Sequence, residues 1–567
     1  MRLKVFNFII LLFFLFILSG IFNLEIIQGK KFKYLAEKNC VRLLPQPGAR
    51  GRIFDRKGDI IADNHLSYDV LILPQEKKQI DKTLSIIAEV LGVNLKALKD
   101  RVKKGYIASF VPVVVAENID IKKAIALGEL KSDYNNIIIQ PRPVRYYPFG
   151  KLASHVIGYL NQIDHWRLTK LKDYGYETKD IVGFGGIEEK FDYYLRQQDG
   201  ALSIEIDHRG KFVRVLGIKP AGNGKDIQLT LDLKIQKIVE DALGDNKNSV
   251  IVMNPYTGEI IAMANSPDFN PAIFINKTAF TLANLAESAL INRAISGEYP
   301  AASVFKLVSA CAGLETNKIS LSTTYLCSGS TRVGNRDFGC WETHKEENLA
   351  EAIAHSCDIF FYKTGLLLGP QAIHDYAVKF CLSKPTGIDL PYEKNGFVPD
   401  PLWKRLHKLQ NWFDGDTANF VIGQGDLLVT PIQMARLMAV FANHGLLVSP
   451  YIVKNVGGKD ISLSQQKKNI IPIKGAIIDY VRKDLRGVVS DASGTANMLA
   501  ELPISVAGKT GTAEVSRNRT HGWFAGFFPY NNPRFVICVL QENNGSGHSA
   551  SLLVKQIIEG MIIENLI

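Results

Sequence analysis

The sequence predicts an α+β chain of more than one domain: a single membrane-spanning helix, a polar module, and an antiparallel sheet flanked by helices. Three observations carry this. At 567 residues the chain is too long for one ordinary domain. One apolar run, residues 5–24, is long enough to cross a bilayer. In the second half, strand-like runs stand at both ends, with helical runs between and after them, which is the α+β pattern.

The N-terminal residues 1–4, Met1-Arg2-Leu3-Lys4, are basic. The following stretch is apolar except for Asn7, Ser19, Gly20 and Asn23. Twenty helical residues at about 1.5 Å each span about 30 Å, one hydrocarbon core. Basic residues stay cytoplasmic, so a bitopic protein is expected, with residues 1–4 inside and everything after residue 24 outside. A cleaved leader is the alternative, given the small residues Ser19 and Gly20. Retention fits better, because the apolar run continues past them and no Ala-x-Ala site follows.

Residues 25–225 read as a spacer or pedestal module. Gln46 to Gly58 is rich in glycine and arginine, and Ile60-Ile61-Ala62 opens a strand. Residues 80–98 read as one helix, with Leu84, Ile87, Val90 and Leu91 on one face. Gly222-Asn223-Gly224 closes a linker, and residues 226–567 form the second domain. There, residues 227–231 and 249–253 read as strands and residues 233–243 as a helix. Another strand, residues 259–264, follows a turn at Pro255-Tyr256-Thr257-Gly258. Residues 523–528 and 535–540 read as strands, and residues 551–566 as a closing helix.

Three short motifs carry the chemistry. Ser303-Val304-Phe305-Lys306 follows Tyr299-Pro300 and opens an apolar helical run, residues 303–314. Residues three apart are neighbours on a helix, so a hydroxyl and an amine share one face. Serine becomes a useful nucleophile when a base removes its proton, and a lysine in a dry site can lose its charge to act as that base. Ser356-Cys357-Asp358 supplies a second hydroxyl and a carboxylate. Lys509-Thr510-Gly511-Thr512, in a strand-like setting, supplies a cation beside two hydroxyls and suits an anionic group. The backbone N–H groups of Ser303 and Thr512 are candidates for an oxyanion hole. This order of motifs is the signature of penicillin-binding proteins and serine β-lactamases.

Single matches mean little. Ser464-Gln465-Gln466-Lys467 repeats the first motif in a polar stretch, and Lys363-Thr364-Gly365 repeats the third inside an apolar helical run. Only one set has the right order and settings. The formal charge of +11 comes without clustered basic and aromatic residues or a nucleic-acid motif, so nucleic acid is excluded and anionic lipid or cell-wall polymer preferred.

Three of the seven cysteines and one histidine form Cys327-x12-Cys340-x3-His344-x12-Cys357. Three thiols and an imidazole are a ligand set for tetrahedral structural zinc. Free buried thiols or a disulfide are the alternatives at this stage.

The chain resembles the class B, monofunctional penicillin-binding proteins, most closely the elongation-type penicillin-binding protein 2 family. The resemblance runs over nearly the whole chain. It rests on Arg50-Gly51-Arg52-Ile53-Phe54-Asp55-Arg56, Arg145-Tyr146-Tyr147-Pro148, Ser154-His155-Val156-Ile157-Gly158-Tyr159 and Gly183-x-x-Gly186-x-Glu188, then on Asn292-Arg293-Ala294, Gly415-Asp416-Thr417, Ile422-Gly423-Gln424-Gly425 and Trp523-Phe524-Ala525-Gly526. Asp358, where division-type relatives usually have asparagine, looks like the elongation type.

The resemblance implies a penicillin-binding/β-lactamase-like fold and peptidoglycan D,D-transpeptidation through a Ser303 acyl-enzyme. It gives Lys306 the role of base, Ser356 that of proton relay and Asp358 that of positioning both. Lys509, Thr510 and Thr512 would hold the substrate carboxylate, with Gly511 between them. It implies no catalytic cofactor, and relatives of the elongation type can carry zinc where Cys357 resembles the last ligand. Implied partners are stem peptides, β-lactams, a membrane-embedded glycosyltransferase and rod-shape scaffold proteins, at the bacterial inner membrane with the catalytic domain periplasmic. A D,D-carboxypeptidase and a β-lactam-binding non-catalytic scaffold or sensor are the alternatives. One departure stands out: the family usually reads Tyr-Pro-Pro-Gly-Ser, and here the residues are Tyr299-Pro300-Ala301-Ala302-Ser303. The two alanines are expected to narrow the cleft without abolishing activity.

Overall fold

The computed structural model describes residues 2–74, 77–106, 111–134, 136–178, 180–206, 212–276, 287–466, 468–516 and 519–567. The apolar N-terminal run forms the helix Arg2–Phe22, continued by a wider turn over Asn23–Ile27. From Leu3 to Ile27 its side chains are exposed. Among the described residues it is the one helix long and apolar enough to cross a membrane. Among the described residues, none covers this helix.

The chain divides into two compact units that interleave in sequence. The first comprises Met1–Gly51, Asn64–Tyr146 and Arg196–Gly224. Here Val41–Gln46, Gly200–Ile206 and Phe212–Lys219 form an antiparallel sheet. Separately, the strand residues 68–72 pair with Val113–Ile119 over a core of Val70, Ile72, Leu84, Ile87, Leu98 and Leu127. The single helix expected over residues 80–98 is two helices, Lys77–Leu91 and Leu95–Gly105. Gly92 at φ +69° breaks the run, and Asn94 caps the second helix by accepting from Lys96 N at 2.8 Å. Apolar spacing marked the buried face correctly; the Gly-Val-Asn stop and restart overrode it.

The second unit comprises Arg52–Asp63, Tyr147–Leu195 and Lys225–Ile567. One boundary near residue 225 therefore does not describe these units, because residues 52–63 and 147–195 group with the C-terminal half. The physical reason is pairing across a long sequence separation. Ile53–Phe54 lies parallel to Ile227–Leu229, Arg56 N donates to Leu231 O at 2.9 Å, and Lys57 Nζ meets Asp232 Oδ2 at 2.7 Å. The motif glycines allow backbone to meet backbone. A Cβ on Gly158 (φ +82°) would lie 2.1 Å from Gly185 O, and one on Gly186 (φ +54°) 2.3 Å from Val156 O.

The functional frame is a five-stranded sheet in the order Ile260–Ser266, Asn248–Met253, Phe535–Gln541, Arg519–Phe528, Ala507–Ser516. Every neighbour is antiparallel. The helix Pro431–Ala442 is buried along its whole length and packs against three of these strands. Thr430 starts it with a capping box involving Gln433. Leu233–Leu243 and the closing helix, Gly547–Ile563, pack on the sheet and on each other. The strand carrying Lys509 is the edge of this sheet, so one row of its backbone groups faces away from it.

Candidate active site

Ser303 does not sit in the first turn of an α-helix. Ala302–Phe305 is a 3₁₀ turn, and the α-helix Lys306–Glu315 begins only at the lysine. The tighter turn eclipses residues three apart, which still brings Ser303 and Lys306 to one side. Hydrogen bonds hold the approach to this turn at several points. Tyr299 N and O pair with Val429 O and N at 2.9 and 2.8 Å, and Trp523 Nε1 donates to Pro300 O at 3.0 Å. Arg293 Nε meets Glu542 Oε2 at 2.9 Å, and Tyr299 OH donates to the same oxygen at 3.2 Å.

Lys306 is fully buried. Its ammonium donates to Asp358 Oδ1 at 2.7 Å, Ser356 O at 2.8 Å and Ser356 Oγ at 3.2 Å. All three donors are thus used on the second motif. Ser356 adopts φ +58°, a turn that lets its carbonyl and hydroxyl face the same lysine, and Asp358 opens the first of the two helices in Asp358–Lys379, which are separated by a break at Gly369 (φ +74°). A carboxylate at a helix N-terminus is favoured by the peptide dipoles.

Lys509 is also fully buried, but among the described residues its ammonium finds only Thr510 O, at 3.2 Å. Burial pushes its pKa well below the ordinary lysine value; repulsion from Lys306 adds to this, and Asp358 opposes it. The neighbouring hydroxyls are oriented. Thr510 Oγ1 shares a 2.6 Å hydrogen bond with Thr495 Oγ1. Thr512 Oγ1 accepts from Gly547 N at 3.0 Å, so its own proton is free to donate elsewhere. Gln424 Nε2 donates to Thr512 O at 3.4 Å, which places that peptide on the outer side of the edge strand. A Cβ on Gly511 would lie 3.3 Å from Ser303 N; the serine turn and the Lys509 strand are in contact there.

Cys327, Cys340, His344 and Cys357 converge, with one ligand atom from each lying within 4.8 Å of all the others. His344 Nδ1 is 3.6 Å from both Cys327 Sγ and Cys340 Sγ. Asp358 N donates to Cys340 Sγ at 3.3 Å, tying this cluster to the second motif. A hydrogen bond from Cys357 lowers the Cys340 thiol to about 5, and the same bond with burial pushes Cys357 up. All seven cysteines are free, so no disulfide competes for these thiols.

The repeated motifs go elsewhere. Lys363-Thr364-Gly365 lies within the Asp358–Lys379 helix, with Thr364 fully buried. Ser464 belongs to the short helix Ser462–Gln465, and Lys467 lies outside the described residues. The expectation that Ala301 and Ala302 narrow the cleft fails, because both are fully buried and neither methyl lines an opening. Ala302 instead adopts φ +51°, a left-handed conformation that costs a non-glycine residue about 1–2 kcal/mol.

Sequence reasoning missed Thr495 and Gly547, which reach the third motif, and Glu542, which braces the serine turn. His355 was missed too: it links Glu347 Oε1 at 2.9 Å to Ser493 Oγ at 3.0 Å, beside Thr495. Each acts through a partner far away in sequence, and no local pattern marks it.

This geometry agrees with what the chain is similar to. Residues 248–559 match the family model of the penicillin-binding protein transpeptidase domain, and residues 45–229 that of the penicillin-binding protein dimerisation domain. The peptidoglycan D,D-transpeptidase MrdA of Acinetobacter baumannii is 30% identical over 94% of this chain and 84% of its own length. The chain belongs to the penicillin-binding protein 2 family. It is a serine D,D-transpeptidase with the transpeptidase fold expected from its motifs. Penicillin-binding protein 2 of Helicobacter pylori, solved in complex with MreC, superposes with a TM-score of 0.82 at 27% identity, covering 93% of this chain and 99% of that one. A peptidoglycan synthase complex described as coordinating polymerization and crosslinking superposes at 0.74 with 27% identity, covering 99% and 98%.

Proposed function

We propose that this chain cross-links peptidoglycan stem peptides through an acyl-enzyme on Ser303. The observation that carries the assignment is the convergence of the Lys306 ammonium on Asp358 and both oxygens of Ser356. With its three donors engaged, Lys306 must give up a proton before it can take one from Ser303. That first proton leaves to solvent; the proton then taken from Ser303 travels on through the Ser356 hydroxyl, which gives up its own proton as it accepts one from Lys306, and Asp358 stabilises the charged form of Lys306 between steps. Ser303 attacks the carbonyl of the penultimate D-Ala, the peptide C–N bond breaks, and Ser356 returns a proton to the departing D-Ala amine. An acceptor amine then attacks the ester, forming the cross-link and restoring the Ser303 hydroxyl. The N–H groups of Ser303 and Thr512 stabilise the oxyanion in both halves. Lys509, Thr510 and Thr512 hold the terminal carboxylate, whose arrival gives Lys509 a counter-ion. β-Lactams acylate Ser303 as mimics of the donor.

The Cys/His cluster fits structural zinc. Metal–sulfur and metal–nitrogen bonds of about 2.3 and 2.0–2.1 Å in a tetrahedron put sulfur and nitrogen about 3.6 Å apart, matching the His344 Nδ1 separations of 3.6 Å. The ion would be held by Cys327, Cys340, His344 and Cys357. Its part is to fix the segment leading into Ser356 and Asp358, and it takes no part in acyl transfer.

The N-terminal helix anchors the chain in the bacterial inner membrane, with residues 1–4 cytoplasmic and the catalytic domain periplasmic, as the positive-inside rule requires. Residues 25–225 serve as the pedestal on which a membrane-embedded glycosyltransferase and a rod-shape scaffold protein dock. The superposition on a complex with MreC and on a peptidoglycan synthase complex supports both partners. Covalent labelling with a fluorescent penicillin tests the central assignment. Ser303→Ala should abolish labelling and Ser464→Ala should leave it intact; a labelled Ser303→Ala protein removes the nucleophile from this reading.

A further inference from the structure

The residue before the nucleophile is alanine in a conformation that favours glycine. Ala302 stands at φ +51° and is fully buried. Its N–H donates to Gly423 O at 2.9 Å. The contact is tight on both sides: a Cβ on Gly423 would lie 2.2 Å from Ala302 O, so the two backbones meet with no room for a side chain between them. On the other side, a Cβ on Gly511 would lie 3.0 Å from Ala302 Cβ and 3.3 Å from Ser303 N. The Ala302 methyl therefore rests against the bare α-carbon of Gly511. It lies between the serine turn and the edge strand, one residue from each of the two N–H groups assigned to the oxyanion hole.

We propose that Ala302 is a positioning residue whose methyl acts as a spacer, setting the gap between the Ser303 and Thr512 N–H groups. The argument rests on the reading of Ser303 as the nucleophile. Both donors belong to backbone that packing must hold, since a peptide N–H has no side chain of its own to anchor it. The serine turn is fixed from behind by Gly423, Val429 and Trp523. The strand is fixed by its pairing with Arg519–Phe528. Where turn and strand face each other, Gly511 contributes no side chain, so the Ala302 methyl is the atom that keeps them apart. Glycine at position 302 would relax the backbone but leave that gap unfilled, and the strand edge and serine turn would move relative to one another.

A spacer of this kind affects the tetrahedral intermediate more than the bound substrate. Removing one oxyanion donor outright costs about 10²–10³-fold in rate, so partial loss of alignment should cost about tenfold. The test uses the full-length protein in detergent. The non-covalent affinity for benzylpenicillin, its acylation rate constant and the affinity for a boronic acid that forms a tetrahedral adduct on the serine are measured separately. Ala302→Gly should keep non-covalent affinity within about twofold, slow acylation about tenfold and weaken boronate binding by a similar factor. Ala301→Gly removes the neighbouring buried methyl, at a residue with ordinary φ −70°, and should leave both acylation and boronate binding unchanged. Thermal unfolding of each variant reports whether it is folded. Wild-type acylation and boronate binding in a folded Ala302→Gly protein overturn the proposal, as does an equal loss in Ala301→Gly. So does a loss in non-covalent affinity alone. Ser303→Ala in parallel separates the two levels: if it still acylates, the nucleophile is wrong, whereas if it is inert and Ala302→Gly is normal, only the spacer falls.

Discussion

Lys306 and Lys509 are both fully buried in the same cleft, yet their surroundings differ. Lys306 has a carboxylate at 2.7 Å and two further acceptors. Lys509 has one carbonyl, at 3.2 Å, and burial drives its ammonium towards neutrality. A buried charge with a partner is part of the folded structure; one without a partner marks where something else is to bind. The same contrast separates Asp358, held by Lys306, from the thiols of Cys327, Cys340 and Cys357, which converge on one another. In this protein, the sparsely partnered Lys509 is where we propose that the substrate carboxylate binds, and the converging thiols are where we propose a metal.

Breaking the partnered side should have the largest effect. Lys306→Ala removes the proposed base and the ammonium that pairs with Asp358. Acylation by a fluorescent penicillin should slow by about 10²–10⁴-fold, the usual range for a missing general base. Stopped-flow or quenched labelling measures it directly. A rate within threefold of wild type would transfer the base to another residue, Lys509 first.

On the unpartnered side, the second expectation is about one zinc per purified chain by elemental analysis, lost in the double variant Cys327→Ser/Cys340→Ser. Metal binding to the folded form alone contributes to stability, so the variant should unfold several degrees lower and acylate more slowly without becoming inert. Asp358 N on Cys340 Sγ is the contact through which loosening reaches the second motif. A metal-free preparation that acylates at the wild-type rate would leave the cluster as four converging side chains with no metal role.

The partnered and unpartnered groups were unequally legible in the sequence. Ser303, Lys306, Lys509 and the Cys327–Cys357 spacing are local patterns that can be read without knowing the fold. The strands from residues 249, 259, 523 and 535 and the helix from 233 were likewise visible as apolar runs between turn signals. Non-local pairing was not visible. Nothing in residues 52–58 announces a parallel neighbour at Ile227, and nothing at Thr495 announces Thr510. The left-handed backbone at Ala302 was hidden for another reason, since alanine carries no signal for positive φ. The helix break at Gly92 was readable in principle, but the apolar spacing through Leu91 drew attention away from the Gly-Val-Asn sequence that follows.

The smallest predicted effects come from buried His155 and half-buried Glu240, whose protonation shifts have opposite signs. His155 is buried with its Nε2 on Ala289 O at 2.7 Å, and burial lowers it to about 4. Glu240 accepts from Ala153 N at 2.7 Å and from Gln236 Nε2 at 2.8 Å, yet burial raises it to about 7. For His155 the unfolded chain binds more protons between pH 6.5 and 4, so its contribution is fully present above 6.5 and is lost as pH falls. For Glu240 the folded chain holds more protons between pH 4.5 and 7, so its contribution is present below 4.5 and is lost as pH rises. Each shift is worth about 3 kcal/mol at its limit, and over the shared window the two slopes nearly cancel. Wild-type stability should therefore change little from these groups between pH 4.5 and 6.5. His155→Gln should leave the Glu240 slope exposed, so that the variant loses melting temperature as pH rises through that range. Glu240→Gln should show the reverse, losing melting temperature as pH falls. Thermal unfolding of the three proteins at pH 4.5, 5.5 and 6.5 decides it: parallel pH profiles would mean that water reaches both sites and that neither group is buried in the sense argued here.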